Sequence, residues 1–214
     1  MSGSTLKALL IDLDNTLYRP EAGLLSEADR RITQFIQQRL GLPRDLADKL
    51  RVELWKKYGT TARGLAVEYG ISEQELAREA LSEVDASAYV SADEKLAAAL
   101  SQIPVPLYLF TNAPRDYALR ALRALGVERF FTDIFDIEFL EWEGKPSEGA
   151  FRRVLRVLAL PPPVVGLADD NPDNLATARR LGMLVIAVHV DAQADIVIPD
   201  ICALASALRE RGFI

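Results

Sequence analysis

The segment LKALLIDLDNT, residues 6–16, decides the fold of this 214-residue chain. Its first part is a short apolar run that ends in polar residues, which is typical of a buried parallel strand. Asp12 and Asp14 are two residues apart, so in an extended chain both carboxylates point to the same side while Leu13 points to the other. An isolated pair of this kind also occurs in ordinary turns, but two like charges at the end of a buried strand are costly unless a metal ion or a proton relieves them. The segment therefore predicts a functional carboxylate pair at one edge of a parallel sheet.

Strand-like and helical patterns alternate in the second half of the chain. Apolar strand patterns lie at Pro106–Phe110, Ile134–Ile137, Val164–Ala168, Met183–Val188 and Ile196–Ile198. Helical patterns lie at Arg115–Leu125, Ser147–Leu158, Asp173–Leu181 and Cys202–Arg211. This alternation predicts an α/β fold with a Rossmann-like parallel sheet covered by helices on both faces.

One helical block separates the first strand from the second. Helical spacing of apolar residues covers Leu24–Leu40, Arg44–Tyr58, Ala62–Tyr69 and Glu73–Leu81. Ser26 and either Thr60 or Thr61 are predicted helix caps. We therefore predict two units: a Rossmann-like core formed by residues 1–18 and 93–214, and a small all-helical cap formed by residues 19–92.

Polar side chains also follow the later strands. Thr111 and Asn112 place a hydroxyl and backbone N–H groups at a strand-to-helix turn, which favours anion binding, although the pair is also a common helix cap. Lys145 precedes another helix, and a lone lysine is usually solvated. Asp169 and Asp170 follow the Val164 strand, where adjacent acids indicate either a hard cation such as Mg²⁺ or charge matching at a helix N-terminus. Because parallel strands end at one edge of a sheet, these side chains together predict a phosphoryl-transfer site there.

Composition excludes several other classes of protein. The formal net charge of −6 argues against a surface for nucleic-acid polymers or anionic membranes. One cysteine, Cys202, and one histidine, His189, exclude an intrachain disulfide and a cysteine or multi-histidine metal site. The amino end has no signal-peptide pattern and no apolar run approaches the length of a membrane span, so we expect a soluble, cytoplasmic protein.

Four segments in this order resemble the motifs of the haloacid dehalogenase-like (HAD) hydrolase superfamily. They are IDLDNTLY, LFTNA, the Lys145-Pro146 pair and LADDNPDN, and the helical block lies where this family inserts a cap domain. The segment YGTTARGL followed by EYGI resembles, more narrowly, the pyrimidine 5′-nucleotidase branch.

The resemblance implies an aspartyl-phosphate mechanism with Mg²⁺ as cofactor. Asp12 would attack phosphorus, and Asp14 would protonate the leaving alcohol and then activate water. Asp12, Asp170 and the backbone carbonyl of Asp14 would hold the metal, while Asp169 would either join them or lie behind them. Asn174 occupies the place where many relatives carry a further acid, so the details of the metal shell stay open.

The resemblance also assigns the remaining site residues. Thr111, the backbone N–H of Asn112 and Lys145 would hold the phosphate. In the cap, Tyr58, Thr61 and Arg63 would face the leaving group, although Thr61 also reads as a helix cap and Arg63 as a solvated side chain.

The expected substrate is a small phosphometabolite such as a pyrimidine nucleoside 5′-monophosphate. Alternatives are a phosphatase for sugar phosphates or phosphoglycolate, a β-phosphoglucomutase-like phosphotransferase, a haloacid dehalogenase and a non-catalytic phosphate-binding switch. We expect no nucleic-acid polymer or membrane as partner, and a monomer or a homodimer.

Overall fold

Six parallel strands form one sheet in residues 5–214, the part of the chain that the computed structural model describes. They are β1 (Ala8–Ile11), β2 (Leu107–Phe110), β3 (Phe131–Phe135), β4 (Val165–Asp169), β5 (Leu184–Val188) and β6 (Ile196–Ile198). Their order across the sheet is β3-β2-β1-β4-β5-β6. The predicted parallel α/β fold is confirmed.

The helices of the described chain lie between and after these strands. They are α1 (Leu24–Leu40), α2 (Arg44–Tyr58), α3 (Thr61–Tyr69), α4 (Glu73–Leu76), α5 (Glu94–Ser101), α6 (Arg115–Ala124), α7 (Glu148–Leu158), α8 (Pro172–Arg180) and α9 (Leu204–Glu210). Within residues 5–214 no helix combines the length and apolarity needed to cross a bilayer.

Strand β1 lies between β2 and β4, and all four of its residues are buried. Leu9 is paired with Leu107 on one side and with Gly166 on the other. A Cβ atom at Gly166 would come within 2.7 Å of the Leu9 side chain, so this neighbour must be glycine for the strands to pack as they do. The residues that follow β1 therefore emerge between the ends of β2 and β4, at the carboxyl edge of the sheet.

Helices cover both faces of the sheet because alternate residues of β1 point to opposite sides. Leu9 and Ile11 belong to a core cluster with apolar residues of α5, α6 and α9. Ala8 and Leu10 belong to a second cluster with residues of α7 and α8.

The helical insertion, defined as α1 to α4 with the π-helical segment Ala77–Leu81, separates β1 from β2. The predicted bounds of α1 and α2 are confirmed. Thr60 caps α3 by accepting a hydrogen bond from the Arg63 backbone N–H at 3.1 Å, as predicted. The predicted cap Ser26 is wrong, because α1 begins after Gly23, whose positive φ of 83° ends the preceding turn. The boundaries 1–18, 19–92 and 93–214 of core and cap stay a prediction, and residues 1–4 lie outside the described residues.

Three elements differ clearly from the sequence expectations. The helix expected at Glu73–Leu81 is divided into α4 and the π-helical segment Ala77–Leu81. The strand expected at Ile134–Ile137 lies at Phe131–Phe135, because Thr132 and Asp133 at the exposed sheet edge interrupt the apolar pattern. The helix Glu94–Ser101 had no expected counterpart; Asp93 caps it by accepting hydrogen bonds from two backbone N–H groups.

Candidate active site

The ammonium group of Lys145 lies between two carboxylates at the carboxyl edge of the sheet. Its Nζ donates to Asp12 Oδ1 and to Asp169 Oδ2, each at 2.7 Å. The side chain is only 1 % exposed, so the ion pairs are shielded from water. Burial by itself lowers the pKa of Lys145, but attraction to Asp12 and Asp169 outweighs it and raises that pKa above its ordinary value. The lysine is therefore a fixed positive charge beside the expected nucleophile.

Asn112 holds the backbone on which Lys145 stands. Its side-chain Oδ1 accepts from the Lys145 backbone N–H at 2.7 Å, and its Nδ2 donates to the Lys145 carbonyl at 2.8 Å. Gly144 makes this approach possible, because a Cβ atom there would lie 2.5 Å from Asn112 Oδ1. The sequence predicted a role only for the Asn112 backbone N–H, which has no acceptor within residues 5–214. The bridging role of its side chain was missed.

Asp12, Asp169 and Asp170 bring carboxylate oxygens within 4.8 Å of one another. Asp169 is the most fully bonded: besides Lys145 it accepts from the Asn171 backbone N–H at 2.9 Å and from Asn174 Nδ2 at 3.0 and 3.1 Å. Asp12 and Asp170 have fewer partners. The structure therefore suits Asp169 to orient its neighbours rather than to bind a cation directly.

The acid cluster fits a hard divalent cation. Burial raises the pKa of Asp12 well above its ordinary value, since the attraction of Lys145 offsets only part of the burial and of the repulsion from Asp169 and Asp170. Burial and the charge of Asp169 raise the pKa of Asp170 to about 6. Beside these acids, Asn174 Oδ1 is buried and has no hydrogen-bond partner among residues 5–214. An all-oxygen donor set with excess negative charge matches Mg²⁺, and Asp12 and Asp170 are the carboxylates that would hold it.

Asp170→Asn tests this electrostatic reading without an activity assay. In metal-free protein we expect the variant to unfold at a Tm roughly 2–4 °C higher than wild type, because about 1 kcal/mol of carboxylate repulsion is removed. We expect Mg²⁺ to raise the Tm of wild type and not that of the variant. Asp173→Asn, which removes a nearby exposed acid, should keep the Mg²⁺ response. A full Mg²⁺ response in Asp170→Asn would contradict the assignment.

Asp14 is held apart from this cluster by two tyrosines. Its Oδ1 accepts hydrogen bonds from the hydroxyls of Tyr18 and Tyr117, the latter at 3.0 Å. Burial raises the pKa of Asp14, and the two phenols oppose that rise. Sequence reasoning gave neither tyrosine a role, because Tyr117 on the buried face of α6 reads as core and Tyr18 entered only as the last residue of the segment IDLDNTLY.

A cavity of about 770 Å³ lies between the sheet edge and the helical insertion. The sheet edge lines it with all of the expected core site residues except Asp169, namely Asp12, Asp14, Thr111, Asn112, Lys145 and Asp170. The insertion contributes a mainly apolar wall, in which the largest side chain is Trp55, and the polar pair Asp29 and Arg51.

The three expected cap residues have different locations. Thr61 lines the cavity, and its hydroxyl donates to the Arg51 carbonyl at 3.0 Å. Tyr58 and Arg63 are not among the cavity-lining residues. The Tyr58 hydroxyl donates to Glu68 at 2.9 Å, and the Arg63 guanidinium pairs with Glu73 at 3.1 Å. The structure brings only Thr61 of the three to the site.

The family model of the haloacid dehalogenase-like hydrolases matches residues 6–182, which include every site residue described above. The chain belongs to this family. This haloacid dehalogenase-like hydrolase is similar to phosphate metabolism protein 8 of Saccharomyces cerevisiae, with 25% identity over 196 residues. The match covers 83% of this chain and 60% of the yeast protein, so the chain spans less than two thirds of that relative.

A second relative has nearly the same length as this hydrolase. Validoxylamine A 7′-phosphate phosphatase of Streptomyces hygroscopicus is 26% identical over 206 residues, which cover 91% of this chain and 94% of the relative. Among solved structures, CbbY from Rhodobacter sphaeroides in complex with phosphate superimposes with a TM-score of 0.69 at 20% identity, covering 94% of this chain and 96% of that one. That structural likeness supports the fold alone.

Proposed function

We propose that this chain is a Mg²⁺-dependent phosphomonoester hydrolase that works through an aspartyl-phosphate intermediate. The observation that carries the proposal is that Asp12 and Asp14, although only two residues apart, have different hydrogen-bond partners. Asp12 is bonded to the buried cation Lys145 among the acids, whereas Asp14 is bonded to two phenols. Their surroundings suit one carboxylate to act as nucleophile and the other as acid and base.

The reaction balances in two steps. In the first, an Asp12 oxygen forms a bond to phosphorus while the ester P–O bond breaks, and the leaving oxygen takes a proton from Asp14. In the second, water attacks phosphorus and gives a proton back to Asp14, and the bond between phosphorus and Asp12 breaks. The products are the free alcohol and inorganic phosphate, and both aspartates return to their starting state.

The groups around Asp12 are suited to hold the phosphate. Thr111 and Asn112 line the cavity, and the Asn112 backbone N–H, which has no acceptor among the described residues, can donate to a phosphate oxygen. Lys145 adds the fixed positive charge. Mg²⁺, when bound, supplies further positive charge that offsets the repulsion between the phosphate and the carboxylates.

A phosphate-release screen tests the class of reaction. We expect release from phosphomonoesters in Mg²⁺ and loss of release in EDTA, using nucleoside monophosphates, sugar phosphates and phosphoglycolate as substrates. Release that is equal with Mg²⁺ and with EDTA, or none from folded protein, would contradict the proposal. Halide release from 2-haloacids without metal would instead favour the dehalogenase alternative.

For the substrate we propose a pyrimidine nucleoside 5′-monophosphate. The first support is the volume of the cavity, which greatly exceeds the volume of a phosphoglycolate molecule. The second is the cavity wall, in which the Trp55 ring could stack on a base and the polar pair Asp29 and Arg51 could bind its polar groups. Sugar phosphates and the phosphotransferase reaction stay as alternatives. A cytoplasmic location, a monomer or homodimer and the lack of nucleic-acid or membrane partners stay predictions from the sequence.

Trp55→Ala tests the substrate proposal. We expect KM for cytidine and uridine 5′-monophosphate to rise about tenfold, since stacking of one base on an aromatic ring contributes about 1–3 kcal/mol. KM for phosphoglycolate should not change. Tyr69→Ala is the matched control, because Tyr69 is a similarly exposed aromatic residue of the insertion outside the cavity lining. An equal rise for all substrates would contradict a stacking role.

A further inference from the structure

Two phenols from distant parts of the chain hold the same oxygen of Asp14. Tyr18 follows the nucleophile segment, while Tyr117 lies on α6, 103 residues after Asp14. Tyr18 and Tyr117 are only 8 % and 3 % exposed, so these hydrogen bonds are shielded from water. Hydrogen bonds in such surroundings fix the orientation of the carboxylate.

The two oxygens of Asp14 are not equivalent. Oδ1 accepts both phenolic hydrogen bonds, whereas Oδ2 has no hydrogen bond within residues 5–214. Oδ2 is nevertheless accessible to solvent. Within residues 5–214, Asn174 Oδ1 is the side-chain oxygen or nitrogen that is both fully buried and without a hydrogen-bond partner. Asp14 Oδ2 also has no partner, so it is not fully buried. Because Asp14 lines the cavity, Oδ2 is the oxygen open to a substrate.

We propose that Tyr117 is a positioning residue of the reaction, which with Tyr18 anchors Oδ1 so that Oδ2 alone exchanges the proton. This inference rests on the proposed function. In the acid form the proton is on Oδ2, and Oδ1 accepts the two phenolic hydrogens. Oδ2 gives its proton to the leaving oxygen in the first step and takes one from the attacking water in the second, while both phenols keep their own protons.

Helix α6 is well placed to give Tyr117 a fixed position. Three residues after Tyr117, Arg120 donates to the carbonyl of Leu81 at 2.6 Å and to that of Val84 at 3.1 Å. These carbonyls belong to the end of the helical insertion and the turn after it. Because residues three apart are neighbours on the surface of a helix, α6 is tied to the insertion close to the point where Tyr117 contacts Asp14.

The way in which kcat/KM depends on the leaving group can show whether Tyr117 positions the acid Asp14 or only supports the fold. We choose benzyl phosphate, whose alkoxide must be protonated as it leaves, and p-nitrophenyl phosphate, whose phenolate leaves without a proton. For both esters kcat/KM reports the steps up to the first irreversible one, the transfer of the phosphoryl group to Asp12. A misplaced acid should therefore slow only the benzyl ester.

For Tyr117→Phe we expect kcat/KM to fall roughly 10- to 100-fold on benzyl phosphate and less than about threefold on p-nitrophenyl phosphate. The loss on benzyl phosphate is smaller than the roughly 10²- to 10⁴-fold contribution of a general acid, because the variant misplaces Asp14 without removing it. Tyr108→Phe is the matched control, because the Tyr108 hydroxyl makes no hydrogen bond within the described chain and its ring stacks on Phe135. In an Asp14→Asn background, Tyr117→Phe should add no further selective loss on benzyl phosphate, since the residue acts through Asp14.

The other outcomes contradict either the positioning role alone or the proposed function as well. Equal losses on the two esters, no loss on either, or a selective loss that persists in Asp14→Asn would overturn the positioning role and leave the proposed function intact. A folded wild-type protein that releases phosphate from no phosphomonoester in Mg²⁺, these two esters and the nucleoside monophosphates included, would overturn the proposed function, and this inference with it. Because phenylalanine keeps the buried ring, Tm values of the variants identify any loss that comes from unfolding.

Discussion

Asp12→Asn should lower the rate of phosphate release by about 10⁴-fold or more, because an amide oxygen is a poor nucleophile toward phosphorus. The same change removes one of the carboxylates expected to hold Mg²⁺. Phosphate release in saturating Mg²⁺ measures the effect, with intact mass recorded before and after the assay to exclude deamidation back to aspartate. Circular dichroism should show an unchanged fold, since the substitution lowers the charge of a crowded acidic cluster.

Asp116→Asn is the matched control for this variant. Asp116 is an exposed acid on α6, and its side chain makes no hydrogen bond within residues 5–214. We expect its activity to equal that of wild type. Near-normal turnover by Asp12→Asn of verified mass would show that another group attacks the substrate.

Lys145→Met should cost both stability and activity. It leaves the Asp12 and Asp169 carboxylates without the cation that contacts each at 2.7 Å. Removing one partner of a buried ion pair typically lowers the free energy of unfolding by about 3–5 kcal/mol. Loss of a fixed positive charge beside the transferring phosphoryl group should lower kcat by roughly 10³-fold. Urea unfolding of metal-free protein and steady-state phosphate release measure the two effects.

Two further variants separate the causes. Lys145→Met with Asp169→Asn removes one of the unpaired charges, so we expect it to recover part of the free energy of unfolding but none of the activity. Lys49→Met, at an exposed position of α2, should match wild type in both measurements. A Lys145→Met protein within about 1 kcal/mol of wild type would mean that water or another group already compensates these acids.

The sequence predicted most of the core site because the rule that brings the residues together is geometric. Parallel strands end at one edge of the sheet, so the acids after β1, the polar turn after β2 and the acids at the end of β4 had to meet. Lys145 was the weaker case, since it lies on a loop before α7 rather than at a strand end. Its pairing with Asp12 depends on how that loop is held, which no local pattern encodes.

Side chains that support the site escaped prediction for a different reason. The Asn112 amide binds the backbone of Lys145, which lies 33 residues later in the sequence. The Asn174 amide binds the carboxylate of Asp169, five residues before it. For the cap, the sequence predicted the helices but not which face each turns to the cavity. Thr61 faces it, whereas Arg63 two residues later contacts Glu73 instead, because the rotation of a short helix depends on packing.

The central place of β1 also affects how the chain can fold as it is synthesised. This strand is made first, yet its two neighbours in the sheet follow about 100 and 155 residues later, at Leu107–Phe110 and Val165–Asp169. Until the second neighbour exists, one edge of an entirely apolar strand has no partner, and such an edge is prone to pair with other chains. Fragments of this sequence that end before residue 165 should therefore aggregate, and Asp12 at the end of β1 gains its neighbours Asp169 and Asp170 only after β4 has been made.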